Sequence, residues 1–157
     1  MGNSNSNLTE LVAVISGEIN GLVLFKNNNS FVEITYNIIG LKPNTYHGFH
    51  VHESGDLREG CASLCAHYNP HNKQHGGLND TESHAGDLGN IYVDNNGSCM
   101  GKFLTNKFCL HEIIGRSIII HEDPDDLGKT NEKDSKTTGH SGKRIGCAVI
   151  GRSKNCQ

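Results

Sequence analysis

Histidine is the residue type whose number and spacing first suggest chemistry in this sequence. The chain has 157 residues and ten histidines, seven of which lie between His47 and His84. Imidazole nitrogens are common ligands of zinc and copper, and a solvated loop seldom carries so many histidines by chance. The sequence therefore indicates a metal site, and the arrangement of the side chains decides which of them share an ion.

Three of these histidines, His67, His71 and His75, stand four residues apart in the segment CAHYNPHNKQHGG. On an α-helix this spacing would place three imidazoles on one stripe. Pro70 and the pair Gly76-Gly77 interrupt the segment, and a proline disfavours helical geometry for the residue before it. We therefore predict an irregular loop, in which equal spacing does not imply a shared ion.

A second pair, His50 and His52, lies in the strand-like segment YHGFHVHE (46–53). Because side chains alternate along a strand, both imidazoles project from one face, about 7 Å apart at Cα. An isolated H-x-H is weak evidence, since surface histidines are common on strands. The pair becomes a stronger candidate together with side chains of the neighbouring loop and of SIIIHE, namely His67, His75, His84, Asp87 and His121.

The elements that must position these side chains are predicted to be strands. Eight short segments are rich in Val, Ile and aromatic residues and are bounded by Gly or Asn. They are 11–17, 21–25, 30–40, 46–53, 89–93, 100–104, 117–122 and 145–151. Apolar and polar residues alternate from Val32 to Ile38, and Asn95-Asn96-Gly97 indicates a tight hairpin turn. We predict an all-β fold, an eight-stranded antiparallel Greek-key barrel or flattened sandwich.

Two polar, Gly-rich segments, 54–88 and 123–144, do not fit strands. Loops of this length in a compact domain are usually functional, and the first holds most of the histidines. The remaining composition fits a single domain over 1–157, with flexible ends at 1–9 and 152–157. It is 34% hydrophobic and carries scattered charges of both signs.

Charge and hydropathy exclude several partners. The net charge of −3 and the lack of a long basic tract argue against a nucleic-acid role. No apolar run approaches the roughly 20 residues that span a bilayer. The segment MGNSNSNLTE has neither the basic nor the apolar region of a signal peptide, so we expect a cytoplasmic location. N-myristoylation at Gly2 is the alternative that the loose acceptor pattern leaves open.

The six cysteines give no independent metal signal. No C-x-x-C pair occurs among them, so neither a zinc ribbon nor a thioredoxin-like site is indicated. In a chain that stays inside the cell, the reducing compartment favours free thiols. From composition alone we therefore expect free cysteines.

Six motifs, in register over about residues 11–151, carry a family resemblance. They are GFHVHESGD (48–56), GC (60–61), HYNPHNKQHGG (67–77), HAGDLGN (84–90), IIGRSIIIHEDPDDLG (113–128) and GKRIGCAVIG (142–151). Together they resemble copper/zinc superoxide dismutase of the intracellular eukaryotic kind. The resemblance implies an enzyme of antioxidant defence that disproportionates superoxide to O2 and hydrogen peroxide by Cu(II)/Cu(I) cycling. It also implies the eight-stranded Greek-key barrel.

The same resemblance implies one copper and one zinc per subunit. The implied copper ligands are His50, His52, His67 and His121, and the implied zinc ligands are His67, His75, His84 and Asp87. His67 would bridge the two metals, while His71 would be a solvent-facing bystander. Four imidazoles suit Cu(II), and three imidazoles with one carboxylate suit tetrahedral zinc, which has a structural and tuning role.

Further roles follow from the resemblance. Asp125 would join His50 to His75 through their outer nitrogens, and Arg144 would dock the anion beside copper. His67 would also act catalytically, by handing a proton to the second superoxide. Cys61 and Cys147 would form an intrasubunit disulfide, which overrides the expectation of free thiols for this pair.

The implied partners are superoxide, a second copy of the chain in a homodimer, and a copper chaperone for loading. The dimer would use the last strand and the start of the disulfide loop, where Arg152 replaces a usual apolar contact. Lysines in or beside the second long loop would focus the field on the copper channel. They are Lys129, Lys133, Lys136 and Lys143.

Two other functions remain open at this stage. A catalytically silent copper-binding decoy or chaperone-like relative would be expected to lack a copper ligand or Arg144. A zinc-stabilised structural domain would have no need of His121 or Arg144. None of these residues is missing from the sequence.

Overall fold

The computed structural model describes residues 7–154, and β-strands dominate it. All eight predicted strands are present. They are β1 (Glu10–Ile15), β2 (Asn20–Asn28), β3 (Phe31–Ile39), β4 (Thr45–His52), β5 (Asp87–Val93), β6 (Cys99–Thr105), β7 (Ser117–His121) and β8 (Arg144–Val149). A short ninth strand, β9 (Gly151–Arg152), was not predicted. The Gly2 acceptor site lies outside the described residues.

In the part of the chain that the structure describes, helical structure is limited to single turns. These are a 3-10 helix at Gly60–Leu64, α1 at Leu110–Ile113 and α2 at Ser135–Thr138. Among residues 7–154, none of the helices is long and apolar enough to cross a membrane. The all-β prediction is therefore confirmed.

The strands form two antiparallel sheets. The five-stranded sheet has the order β6-β3-β2-β1-β9, and the four-stranded sheet has the order β5-β4-β7-β8. The prediction allowed a closed barrel or a flattened sandwich. Within the described residues the strands form two separate sheets, so the sandwich is the form observed. Connections that leave one sheet and return, such as β5 to β6 to β7, give the Greek-key character.

The predicted turn at Asn95-Asn96-Gly97 forms, but it is not a hairpin. The Gly97 N–H donates to the Asp94 carbonyl at 3.1 Å, and Gly97 has a φ of 80°. The strands that it joins, β5 and β6, lie in different sheets. The turn chemistry was predictable because it is local, whereas the pairing of the flanking strands depends on distant parts of the chain.

The core lies between the sheets and follows the alternation seen in the sequence. Val32, Ile34 and Ile38 of β3 are buried, while Asn37 is exposed. They meet fully buried residues of the other sheet, among them Phe49, Ile118 and Ile120. The ends expected to be flexible join this structure in part, since Leu8 is buried and Arg152 pairs with Leu11.

The four-stranded sheet is covered on its outer side by the long loops. Every residue of β7 is buried, as is β4 from His47 to His52. The first loop is hydrogen-bonded to the C-terminal end of β4: the Tyr68 N–H donates to the Val51 carbonyl at 2.8 Å, and the Val51 N–H donates to the Gly86 carbonyl at 2.9 Å. The outer face of this sheet is therefore a second buried layer.

Two β-bulges adjust this layer. Between β4 and β5, Gly48 pairs with Asn90 but His50 pairs with Asp87, so β5 carries one extra residue. Between β7 and β8, Ile120 pairs with Gly146 but His121 pairs with Arg144. Bulges re-aim side chains and are common beside active sites. Here they bring Asp87 opposite His50, and Arg144 opposite His121.

Candidate metal centre

Four of the predicted histidines converge in the buried layer. His50 and His52 come from β4, His121 ends β7, and His67 comes from the first loop through a bridge pairing with His52. Each offers a ring nitrogen, and these four atoms all lie within 4.8 Å of one another. Because two strands and a hydrogen-bonded loop hold them, the group is rigidly framed.

The converging nitrogens have no hydrogen-bond partner. They are Nδ1 of His50 and Nε2 of His52, His67 and His121, all buried and unpaired within the described residues. A buried polar atom left unsatisfied costs about 1–3 kcal/mol, so native proteins rarely keep four together. A soft to borderline metal satisfies all four, which makes an imidazole-binding cation such as copper a good fit.

The opposite nitrogen of each ring is held by the protein. Contacts of this kind fix the ring orientation and decide which nitrogen is left for a metal. They join His50 Nε2 to Asp125 Oδ2 at 2.7 Å, His52 Nδ1 to the Cys65 carbonyl at 2.8 Å, and His121 Nδ1 to the Gly142 carbonyl at 3.2 Å. For His67, Nδ1 lies 2.9 Å from Asp87 Oδ1.

A second group surrounds this Asp87 oxygen. Nδ1 of His67, His75 and His84 lies 2.9, 3.0 and 3.2 Å from Oδ1, respectively. The other carboxylate oxygen accepts the N–H groups of Gly76 at 3.0 Å and His84 at 2.8 Å. Three nitrogens and one carboxylate oxygen are a typical tetrahedral zinc set.

A different choice of four ligand atoms, all within 4.8 Å of one another, comes from His50, His67, His75 and Asp87, so that His50 takes the place of His84. We favour His84, because its Nδ1 contacts the shared oxygen directly, whereas His50 Nε2 is engaged with Asp125. His67 belongs to both groups, with Nε2 on one side and Nδ1 on the other. His71 is exposed and belongs to neither.

Asp125 lies behind both groups. Its Oδ2 is 2.7 Å from His50 Nε2, and its Oδ1 is 2.7 Å from His75 Nε2. The backbone on either side is fixed by Asn90, whose amide contacts both the N–H and the carbonyl of Asp125. Gly139 packs against this bridge, and a Cβ there would collide with the Asp125 carboxylate and the His75 ring.

Burial sets the protonation of the first group. Burial, together with neighbouring His67, holds the pKa of His50 and of His52 well below the ordinary value. Burial likewise lowers the pKa of His121 to about 4, although the Gly142 carbonyl raises it. These rings are therefore neutral near pH 7, the form in which imidazole binds a metal.

The second group holds a proton instead. Burial lowers the pKa of His75, but its contacts with Asp125 and Asp87 outweigh burial and raise the pKa to about 9. Burial raises the pKa of the Asp87 carboxyl, yet its contacts with the three histidines hold that pKa well below its usual range. Without metal, the positive charge on His75 stabilises two buried carboxylates.

A cavity of about 390 Å³ opens onto the first group. His52, His67 and His121 line it, together with Arg144 and with Asp134, Thr137 and Thr138 of the second loop. The Arg144 guanidinium donates from Nη1 to the Cys61 carbonyl at 2.8 Å and from Nη2 to the Cys65 carbonyl at 2.6 Å. The fixed cation is therefore aimed at the same cavity as the unpaired nitrogens.

The loop lysines are placed differently from Arg144 relative to this cavity. None of the four loop lysines, all of them in the described part of the chain, lines it. Lys136 instead donates from Nζ to the Gly128 carbonyl at 2.6 Å, and the residue after it, Thr137, takes the place on the cavity wall. Focusing of the field by these lysines does not require contact with the cavity wall and stays a prediction.

Comparison with known proteins identifies the family. The sequence model described as copper/zinc superoxide dismutase (SODC) matches residues 19–150. The chain belongs to the copper/zinc superoxide dismutase family. The two groups of side chains fit the copper and zinc sites of that family.

Individual relatives agree with this family. The chain is 50% identical over 146 residues to a Cu-Zn superoxide dismutase of Paramecium bursaria Chlorella virus 1, covering 91% of this chain and 78% of the relative. It is 46% identical over 149 residues to Cu-Zn superoxide dismutase 5 of Dictyostelium discoideum, covering 91% and 97%. A crystal structure of the clock protein EA4 superposes with a TM-score of 0.92 at 39% identity, covering 98% and 100%.

The disulfide implied by the family resemblance is confirmed. Cys61 and Cys147, 86 residues apart, are bonded and join the short 3-10 helix to β8. Closing a loop of this length restricts the unfolded chain by about 4–5 kcal/mol on the entropic model. Of the other cysteines that the structure describes, Cys65, Cys99 and Cys109 are free.

Sequence reasoning missed several supporting groups of this superoxide dismutase site. His47 is buried, and its Nδ1 lies 2.8 Å from the His121 carbonyl. The Cys65 carbonyl contacts both His52 and Arg144. Backbone carbonyls occur at every residue, so no sequence signal marks this one. The positive φ of Cys65, 65°, is the structural sign of its special position.

Proposed function

We propose that this chain disproportionates superoxide, with copper held by His50, His52, His67 and His121 and zinc held by His67, His75, His84 and Asp87. The observation that carries the proposal is the set of buried ring nitrogens left without partners around one point. Membership of the copper/zinc superoxide dismutase family supports both metals and the reaction. Overall, two superoxide anions and two protons give one O2 and one hydrogen peroxide.

When bound, copper supplies one-electron redox chemistry, and zinc supplies charge without redox change. Arg144 supplies the anion-binding group. Its guanidinium is oriented by two backbone carbonyls and lines the same cavity as His52, His67 and His121. A small anion docked on Arg144 is therefore held beside the histidine nitrogens, and its orientation is fixed before any electron moves.

His67 provides an atom, Nε2, that can hold a proton beside the bound anion. Nε2 of His67 is buried and unpaired, and the His67 side chain lines the cavity. Its other nitrogen, Nδ1, lies beside Asp87 in the zinc group, so the ring is held from that side. A proton held at Nε2 lies on the wall of the cavity that receives the anion, where it can pass to a bound peroxide product.

Metal analysis with a superoxide-consumption assay tests the proposal. The loaded protein should contain copper and zinc and consume superoxide. The His121→Ala variant should lose copper, whereas His71→Ala, which changes an exposed histidine outside both groups, should retain both metals and full activity. Fully loaded wild-type protein without activity would overturn the proposal and favour the silent copper-binding alternative.

Homodimer formation belongs to the same proposal. Exposed apolar side chains support it, since Leu57 of the disulfide loop is 46% exposed, and Val14 and Leu22, which pair across β1 and β2, are 63% and 42% exposed. Exposed Arg152 borders β1 and would lie at the rim. Light scattering after size exclusion should give about twice the mass of 17.1 kDa. A monomer at micromolar concentration would contradict it.

Delivery of copper by a chaperone and a cytoplasmic location complete the proposal. Expression in cells with and without a copper chaperone, followed by measurement of copper content and of the Cys61–Cys147 bond, tests the delivery. Copper content and the fraction of the bond formed should be lower, but not absent, without the chaperone. Cell fractionation tests the location, and recovery in the membrane fraction would favour N-myristoylation instead.

A further inference from the structure

Lys107 makes contacts that the metal groups do not explain. It lies in the short connection between β6 and α1 and is only partly exposed. Its Nζ donates to the Gly77 carbonyl at 3.0 Å and to the Ser83 hydroxyl at 2.5 Å. Gly77 follows the zinc-group residue His75 by two positions, and Ser83 directly precedes His84. One ammonium group therefore contacts the chain beside two of the zinc-group histidines.

The segment between those contacts, residues 77–83, is also closed by its own polar groups, and residues 73–74 bond its middle through Lys73 Nζ to the Thr81 carbonyl at 2.7 Å and the Gln74 N–H to Glu82 Oε1 at 2.8 Å. The Gly77 N–H donates to Asp80 Oδ2 at 2.7 Å, and the Ser83 hydroxyl donates to the Asp80 carbonyl at 2.7 Å. Lys107 bonds the same two residues, Gly77 and Ser83, from another part of the chain. It thereby ties the ends of the segment to the frame of the sandwich.

Nearby carboxylates favour the charged form of the Lys107 side chain. Burial lowers its pKa, while the carboxylates of Asp87 and Asp80 act in the opposite direction. A hydrogen bond from a charged donor is about twice as strong as a neutral one, so the ammonium holds two acceptors firmly. The positive charge also lies on the side of the zinc-group carboxylate, where it offsets part of the negative charge.

We propose that Lys107 is a positioning residue for zinc: it fixes the separation of His75 and His84 by bonding the chain next to each of them. The inference rests on the proposed function, because it assigns a role toward the zinc group. It predicts an effect confined to zinc. Of the copper-group residues, His50, His52 and His121 come from β4 and β7, which Lys107 does not hold.

The Lys107→Met variant tests the proposal, since methionine keeps the apolar stem and removes the donor. Outer contacts of metal sites contribute about 10- to 100-fold in affinity, so zinc should dissociate about ten-fold faster into a chelator. Cobalt bound in place of zinc should show a changed visible spectrum, while the spin resonance spectrum of bound copper should stay the same. Lys102→Met, an exposed lysine of β6, is the matched control and should change neither.

Two further readouts separate positioning from general stability. The gain in melting temperature on adding zinc to the metal-free protein should fall in Lys107→Met and return in Lys107→Arg. Equal losses of melting temperature with and without zinc, or an unchanged zinc dissociation rate, would overturn the proposal. If wild-type protein itself took up no zinc at His75 and His84, the proposed function would fail, which is a different result.

Discussion

Asp125 is the residue on which the orientation of both histidine groups depends. Its two carboxylate oxygens accept from His50 and His75 at 2.7 Å each, and it is fully buried. A carboxylate has two equivalent acceptors, whereas an amide has one acceptor and one donor. Only the carboxylate can therefore hold both imidazoles with their other nitrogens free.

Replacing Asp125 by Asn should weaken zinc binding about 10- to 100-fold, the usual effect of losing an outer partner. Among residues 7–154, His75 has no other partner for its Nε2, while in the copper group His52 and His121 keep their carbonyl contacts. Titration against a zinc chelator measures the change. The control is Asp123→Asn, which alters an exposed carboxylate two residues away. Similar zinc affinities for the two variants would refute this role.

The sequence alone predicted the orientation of some histidines but could not tell which of the others are metal ligands. The shared face of His50 and His52 followed from strand periodicity alone. The difference between His67, His71 and His75 did not, because their spacing is uniform and only the family resemblance separated them. What distinguishes them physically is burial and the second ring contact, and both depend on residues up to 50 positions away.

Two glycines at the ends of secondary-structure elements or in a bulge have a left-handed backbone, but they differ in the space available for a Cβ atom. Gly89, in the bulge of β5, has a φ of 78° and open space where a Cβ would lie. Gly139, which ends α2, has a φ of 72° and meets Asp125 and His75. The backbone cost of alanine is similar at both, but the collision is present at only one.

Gly139→Ala should therefore lose zinc affinity as well as stability, whereas Gly89→Ala should lose about 1–2 kcal/mol of stability alone. Urea unfolding of the metal-free variants and zinc titration of the folded ones separate the two effects. The comparison needs both variants, because either one alone mixes strain with collision. An equal fall in zinc affinity would mean that the Asp125 bridge does not depend on Gly139.

Strands were the most predictable elements, because alternation and β-branched residues are local signals. All eight were found, while β9, the bulges and the single helical turns were missed. A bulge adds one residue to one strand relative to its partner, so its signal lies in the pairing and not in either segment. The hairpin at Asn95-Asn96-Gly97 failed for the same reason: turn residues specify a reversal, not a partner.

The whole molecule is mildly repulsive to its proposed substrate, with a net charge of −3. Arg144 is the cation on the cavity wall, and Asp134 on the same wall is paired with exposed His140 at 2.7 Å. Thr137→Lys would add one cation at the opening. At about 10 Å in water one charge is worth about 0.4 kcal/mol, so kcat/KM should rise about two-fold.

The increase should disappear as ionic strength passes about 0.15 M, where the screening length is about 8 Å. Ser16→Lys makes the same change of net charge in an exposed turn away from the cavity and should leave the rate nearly unchanged. Rate measurements over a salt series compare the two. Equal enhancement in both variants would show that net charge, and not the charge at the opening, controls encounter.

Stability of the metal-free protein should be greatest near pH 6.5. The pKa of His75 is raised from its ordinary value of 6.5 to about 9, so its contribution is complete below pH 6.5 and is lost as the pH rises through 9. The pKa of His121 is lowered to about 4, so stability also falls as the pH drops from 6.5 toward 4. Each proton changes the free energy of unfolding by about 1.4 kcal/mol per pH unit.

Denaturant unfolding of metal-free protein from pH 5 to 9 measures this profile. In the His75→Gln variant the loss of stability above pH 6.5 should largely vanish, while the acid side should remain. A profile that rises steadily to pH 9 in the wild-type protein would contradict the raised pKa of His75.

The peptide carbonyl of Cys65 receives both the guanidinium of Arg144 and the imidazole of His52. One backbone atom thus serves as a common pivot for the group that captures the anion and a group that faces the redox centre. Any movement of that peptide displaces both at once. Anion binding and turnover therefore depend on the same peptide. Damage near Cys65 should abolish both together, so that no form of the enzyme binds superoxide without consuming it.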